Sequence, residues 1–190
     1  MAMRDHLRAK AKRAGRLARR LARLRRDSRG SSIVEFAIVA APFIALLIAI
    51  IETSLVFFAQ QSLETTAEYA ARSLMTGQAQ QASQTAQQFH NDACKSLPPY
   101  MNCNNLMVDV TTVSNFSDAF LDAPSLYDEN GNRKPDNWSF QPGGAGSIVV
   151  MRLMYIWPVP MGPLGFNLAT LPDGQRLLMA TSVLKTEPYK

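Results

Sequence analysis

The sequence predicts an α+β chain. A long N-terminal helix, apolar enough over its first half to span a bilayer, precedes a second helix and a small antiparallel β-sheet. Three observations predict this. Phe36–Ile51 runs for 16 residues without a charge. Beyond it, Leu63, Ala67, Ala70, Ala71 and Leu74 recur at helical spacing and make one apolar face. Further on, apolar runs at 106–113, 147–157 and 177–184 are separated by stretches rich in Gly, Pro, Asn and Asp. The chain therefore divides into a basic leader (1–30), a long helix (31–76) and an α+β region (77–190).

The net charge of +5 over 190 residues hides two opposite parts. Residues 1–30 carry 12 basic and two acidic side chains, a net of +10, and the remainder carries −5. Charge confined to one end excludes a uniformly basic nucleic-acid-binding domain, and no nucleic-acid partner is expected. An apolar fraction of 47% excludes wholesale disorder. The leader places Leu7, Ala11, Ala14, Leu17, Leu21 and Leu24 at helical spacing, a basic amphipathic pattern suited to anionic lipid.

From Ile33 to Ala59 the apolar stretch is 27 residues, roughly 40 Å as a helix at about 1.5 Å per residue. About 20 residues cross a hydrocarbon core, so the stretch spans with tilt. The positive charge ahead of it keeps the N-terminus cytoplasmic and puts the chain after about residue 60 outside. The run is longer than a secretory h-region. Ala59 has Phe57 two residues before it, a poor signal-peptidase site. Glu35 and Glu52 sit near the ends of the span, within reach of the interface. Pro42 removes one helical N–H, so a kink or local melting is expected there. Small residues at Ala37, Ala40, Ala41, Ala45 and Ala49, beside Phe36 and Pro42, permit close helix packing.

After the span the helix continues through Gln60–Met75 and stops at Thr76-Gly77, with Glu68 placed to pair with Arg72. A second helix is expected from Ala79 to about Ser96, with Ala82, Ala86, Phe89 and Ala93 on one side. Cys94 and Cys103 flank a segment with two prolines. In an outer compartment they read as a structural disulfide closing a short loop. The sheet is expected to have three or four strands. Trp157-Pro-Val-Pro-Met-Gly-Pro-Leu-Gly is too proline-rich for a central strand and reads as an exposed, partly apolar loop that a partner covers. Asp128, Asn130, Asn132 and Asp136 form an oxygen-rich cluster, but the glycine is misplaced for a calcium loop, and a plain turn is the better reading.

Arg29-Gly30-Ser31-Ser32-Ile33-Val34-Glu35-Phe36-Ala37-Ile38-Val39-Ala40, with Pro42 soon after, resembles the opening of TadE-like minor pilins (pseudopilins) of the tight-adherence (Tad/Flp) type IV pilus system. The chain's end, Ala180–Tyr189, resembles that group's ending. These stretches, 29–42 and 180–189, make up 24 residues. The leader is longer and more basic than in many major pilins. The resemblance implies that a membrane aspartyl prepilin peptidase cuts between Gly30 and Ser31, removing the leader and leaving the apolar helix in the mature protein. Gly30 would fill a narrow peptidase subsite. Glu35 would align with the N-terminal ammonium of a neighbouring subunit. The implied partners are the prepilin peptidase, other major and minor pilins, the inner-membrane assembly platform and inner-membrane lipid. The implied place is a single-pass inner-membrane position, with incorporation into an extracellular pilus that serves adhesion.

Two other classes stand beside this one. An uncleaved signal-anchored binding or sensor protein would keep the leader. A membrane-anchored enzyme would need machinery that the sequence does not offer. There is no nucleophile elbow, phosphate loop or metal-binding histidine motif, His6 lies in the leader, and His90 stands alone. No catalytic residue, cofactor or metal is expected.

Overall fold

The computed structural model describes residues 31–160 and 162–189. The basic leader and Gly30 lie outside the described residues. The chain divides between Leu47 and Ile48 into two compact units.

Helix α1 is Ser31–Met75 among the described residues, and its C-terminal limit coincides with the one read from the sequence. It is long and apolar enough to cross a membrane. It runs through Pro42 without a break, so the expected local melting does not occur. Pro42 has no N–H to donate to the carbonyl of Ile38 four residues before it.

Gly77 ends the helix in the left-handed region at φ 74°, a backbone state suited to glycine. The expected single helix from 79 to 96 is two: α2, Gln78–Gln81, and α3, Ala86–Lys95. The break has a local cause. Ser83 takes a positive φ of 49°. Thr85 then opens α3 with a capping box, its hydroxyl accepting from Gln88 N–H while Gln88 Oε1 accepts from Thr85 N–H. Phe89 and Ala93 are buried as expected, but Ala82 and Ala86 are exposed, and Ala79 takes the buried place in α2.

Three antiparallel strands follow, β1 (Leu106–Val113), β2 (Ile148–Pro158) and β3 (Gln175–Lys185), in the order β1-β2-β3. Period-2 alternation gives the sheet two apolar faces. On one face Leu106, Val110, Met151, Leu153, Tyr155, Leu178 and Ala180 pack with Val56, Ala59, Leu63, Ala67, Ala70 and Leu74 of α1, and with Phe89 and Ala93 of α3. Fully burying a residue such as Leu63 or Leu74 contributes about 1.5–3 kcal/mol. Thr66, the one polar side chain buried in this part of α1, donates to the carbonyls of Ser62 and Ser96. The other face packs Met107, Met154 and Ile156 against Leu126, with Tyr127, Trp138, Leu171, Leu177 and Met179 around them.

The long 114–147 connection thus covers the second face, and it also shields an edge. Val110 N–H donates to Ser139 O, and Gln141 N–H donates to Val110 O, both at 2.8 Å. These bonds occupy part of the outer side of β1. After β3 the tail returns to the helix. Thr186 N–H donates to Ser147 O, Glu187 N–H donates to the carbonyl of Met75, and the Tyr189 ring lies over Gly77.

Candidate assembly segment and its supporting face

The segment that carries the functional reading begins at the start of α1. Ser31 is its first residue. Glu35 is solvent-exposed on the first turns, with Phe36, Ala37, Ala41 and Pro42, while Ala40 and Ala45 are half-buried. Ala37, Ala41, Ala45 and Ala49 recur every four residues, so they form one narrow stripe on the helix. The bulky side chains around that stripe face outward: Phe36 is 73% exposed and Ile38 69%. Among the described residues, nothing buries the most apolar stretch of the helix. A helix that is apolar on all sides and uncovered needs lipid or other helices around it.

The lower part of α1 is different. From Val56 onward one face is buried on the sheet, while Leu55, Phe57 and Phe58 on the same turns stay exposed. Phe58 stacks on Tyr100 with ring centroids 5.4 Å apart. Tyr100 meets Trp157 edge to face at 6.5 Å, and Trp157 lies 6.3 Å from Tyr155. Next to this aromatic group is the loop that leaves β2. Gly162 N–H donates to Phe166 O at 3.0 Å, and Phe166 N–H donates to Pro163 O at 3.2 Å. These bonds close a tip with Leu164 at its apex, at φ 58° and 87% exposed. Gly162 seats the tip on α1. A Cβ there would come within 3.0 Å of Glu52 Oε2 and 2.7 Å of Phe166 O. That Glu52 oxygen is buried and has no hydrogen-bond partner among the described residues.

Cys94 and Cys103 form the expected disulfide, with Cα atoms 5.5 Å apart. It joins the end of α3 to the 3-10 turn Cys103–Asn105 that leads into β1. His90, one turn before Cys94, donates from Nε2 to the carbonyl of Leu106 at 3.1 Å. His90 and both cysteine sulfurs lie within 4.8 Å of one another. Sulfur in a disulfide is not a thiolate, which is the form that ligates metal. The arrangement therefore ties α3 to the first residue of β1 and holds no ion in this form.

The oxygen-rich cluster is a turn. Asp128 accepts from the N–H groups of Asn130 and Asn132 at 2.9 and 2.8 Å, and the Asn132 bond is the main cause that lowers its pKa below the ordinary value. Asp136 pairs with Arg133 instead of joining the cluster. The hydrogen bond from Tyr127 to Asp173, at 2.8 Å, raises the phenol pKa. Glu68 and Arg72 do not pair. Gln60 reaches Glu64 on the same helix and also donates to Met179 O in β3.

Residues 30–72 match the family model for TadE-like protein. This segment is TadE-like. The match begins on Gly30 and covers most of α1. No curated protein and no solved structure matches the chain. The TadE-like segment contains Ser31, Glu35, the alanine stripe and the upper part of the buried seam. The disulfide, the sheet and the tip lie outside it.

Several structural residues were not read from the sequence. Asp109 and Arg152 face each other across β1 and β2. Their only sequence signal was one charge in each of two apolar runs, at matching depth. Glu52 beneath Gly162, and the return of the tail to Met75, had no local signal.

Proposed function

We propose that this chain is a minor pilin, or pseudopilin, of the Tad/Flp pilus system. It is processed by a prepilin peptidase between Gly30 and Ser31, then used in the assembly or initiation of a pilus that serves surface adhesion. The observation that carries the reading is the TadE-like match that starts on Gly30 and continues into a helix long and apolar enough to cross a membrane. In this reading α1 anchors the mature protein in the inner membrane as a single pass. The N-terminal side is cytoplasmic, residues 77–190 are outside, and residues 1–30 are the discarded leader. The +10 charge ahead of the helix supports that orientation.

Mechanism follows from solvation. An apolar helix leaves lipid for a filament only if other helices replace the lipid. Ala37, Ala41, Ala45 and Ala49 offer a surface on which backbones approach closely. Glu35 is costly in hydrocarbon and becomes tolerable there when matched to the new N-terminal ammonium of a neighbour. The partners are accordingly the prepilin peptidase, other pilins and the inner-membrane assembly platform. TadE-like proteins are not a known enzyme family, and the proposed role is structural.

The test is the N-terminus of the protein in native membranes, by intact mass and terminal-peptide sequencing. A start at Ser31 is expected, and Gly30→Leu should leave residues 1–30 attached. A wild-type chain that keeps its leader in cells with active prepilin peptidase would overturn the reading in favour of an uncleaved, signal-anchored binding or sensor protein.

A further inference from the structure

We propose that the tip around Leu164 and the aromatic group Phe57, Phe58, Tyr100 and Trp157 form a lipid-seated collar, lodged in the headgroup–acyl boundary of the leaflet from which α1 emerges. The inference rests on the reading of α1 as a bilayer span.

Four observations carry it. The first is that the tip is built to hold Leu164 outward. Two hydrogen bonds close Gly162–Phe166, and Leu164 takes a left-handed φ of 58° at their apex. That conformation is unfavourable for a bulky residue, and 87% exposure of its side chain adds an apolar surface that water does not reward. The exposed apolar side chain makes sense if the medium around the apex is apolar.

The second is position. The tip rests through Gly162 against Glu52, and Glu52 is the first charged residue after the uncharged run Phe36–Ile51. The tip therefore sits at the level on α1 where the apolar run ends and a bilayer boundary would fall.

The third is the kind of side chain gathered there. Phe57 is 70% exposed, Phe58 60% and Tyr100 46%. Tyr100 and Trp157 are in ring contact. Tyrosine and tryptophan concentrate at membrane–water interfaces, where an apolar ring and a polar atom meet different media.

The fourth is charge. From Leu153 to Pro172 no residue is Asp, Glu, Lys or Arg. A protein partner would ordinarily be selected by a charged or hydrogen-bonding rim. An uncharged tip beside exposed aromatics suits lipid better. Seating should bring Leu164 about 5–10 Å into the boundary, as for other interfacial apolar faces.

The test uses the purified full-length protein with its disulfide intact, reconstituted in phosphatidylethanolamine/phosphatidylglycerol vesicles. Spin labels are placed singly by Leu164→Cys, by Ile44→Cys in the apolar run and by Glu129→Cys in an exposed turn. Oxygen and a water-soluble nickel chelate then compete for each label. Expected are an excess of oxygen access at 164, a larger excess at 44 and its loss at 129. Because Leu164 is exposed, its replacement should not disturb folding. Trp157 fluorescence in a Trp138→Phe background checks this without a label: brominated lipid should quench it, and Leu164→Asp should weaken the quenching. If the 164 label behaves like 129 while 44 is deep, the collar is wrong and the span stands. If 44 also reports water, the span is wrong and the collar falls with it. If protection at 164 appears only at high protein-to-lipid ratio, a second copy covers the tip, and the lipid assignment is overturned.

Discussion

Asp109→Ala removes the centre of the polar contact that joins the sheet to the segment covering its second face. Asp109 is 4% exposed and lies opposite Arg152 in the β1–β2 register. Its Oδ2 accepts from Arg152 Nε at 3.0 Å and from Nη2, and its Oδ1 accepts from Ser139 N–H at 3.0 Å. Arg152 also reaches the carbonyl of Asp122. The substitution leaves a guanidinium with no carboxylate and a backbone N–H with no acceptor. Breaking one side of a buried ion pair costs about 3–5 kcal/mol. The Arg152 side chain keeps 18% exposure, and water reaching it favours the lower end, about 3 kcal/mol. For a unit of this size that lowers Tm by about 6–12 °C. The assay is urea and thermal unfolding of the full-length protein in detergent, followed by Trp138 and Trp157 fluorescence. Asp109→Leu combined with Arg152→Met should recover the part due to the unpaired guanidinium, because an apolar pair removes both charges together, while Ser139 N–H stays without its acceptor. A single variant within about 0.5 kcal/mol of wild type, or a double variant as unstable as the summed singles, would refute the reasoning.

Three further outcomes follow from the same kind of reading. Gly77→Ala should destabilise strongly, since the new Cβ would fall 2.1 Å from the Tyr189 ring at a backbone φ of +74°; Gly77→Ala with Tyr189→Ala should restore only the steric part, as read by thermal unfolding. Replacing Cys94 and Cys103 by Ser opens a loop with a sequence separation of nine and should cost about 2.5 kcal/mol; a denaturation midpoint equal to that of the oxidised wild type would contradict this. Asp128 has a lowered folded pKa, so its contribution is complete above the ordinary carboxylate value of about 3.9 and is lost as pH falls through the lower folded value. Amide shifts of Asn130 and Asn132 should therefore titrate with a midpoint below about 3.9, and Asp128→Asn should abolish the step.

Local patterns made the elements legible. The end of α1, the limits of β1, and those of β2 and β3 to within two residues, follow from periodicity and breakers alone. The short Cys94–Cys103 span likewise pointed to its own closure. The second helix was misread because Gln and Ala favour a helix throughout 79–96, while the positive φ at Ser83 and the Thr85 cap divide it. The Glu68–Arg72 pairing failed because exposed i, i+4 charges gain only a few tenths of a kcal/mol. Of the assembly segment, the order of Ser31, Glu35 and the alanines on one helix was legible from spacing. The tip at Leu164, the seat of Gly162 on Glu52 and the Asp109–Arg152 pair were not. Each joins residues more than 40 positions apart or depends on a backbone angle that composition does not encode.

The tail bond from Glu187 N–H to the carbonyl of Met75, with Tyr189 over Gly77, has a consequence for biogenesis. In the proposed topology the chain is delivered in order behind α1, so residues 186–189 arrive more than a hundred residues after it. Until then the lower end of α1 lacks its cap, and β3 is missing from the face on which Leu63 and Leu74 are buried. Under the proposed topology the unit 48–190 is therefore late-maturing, exposed to proteases and premature association throughout delivery. A truncation that removes only 186–190 should give an envelope protein that inserts normally but is cleared quickly, separating membrane insertion from folding in a pulse-chase experiment.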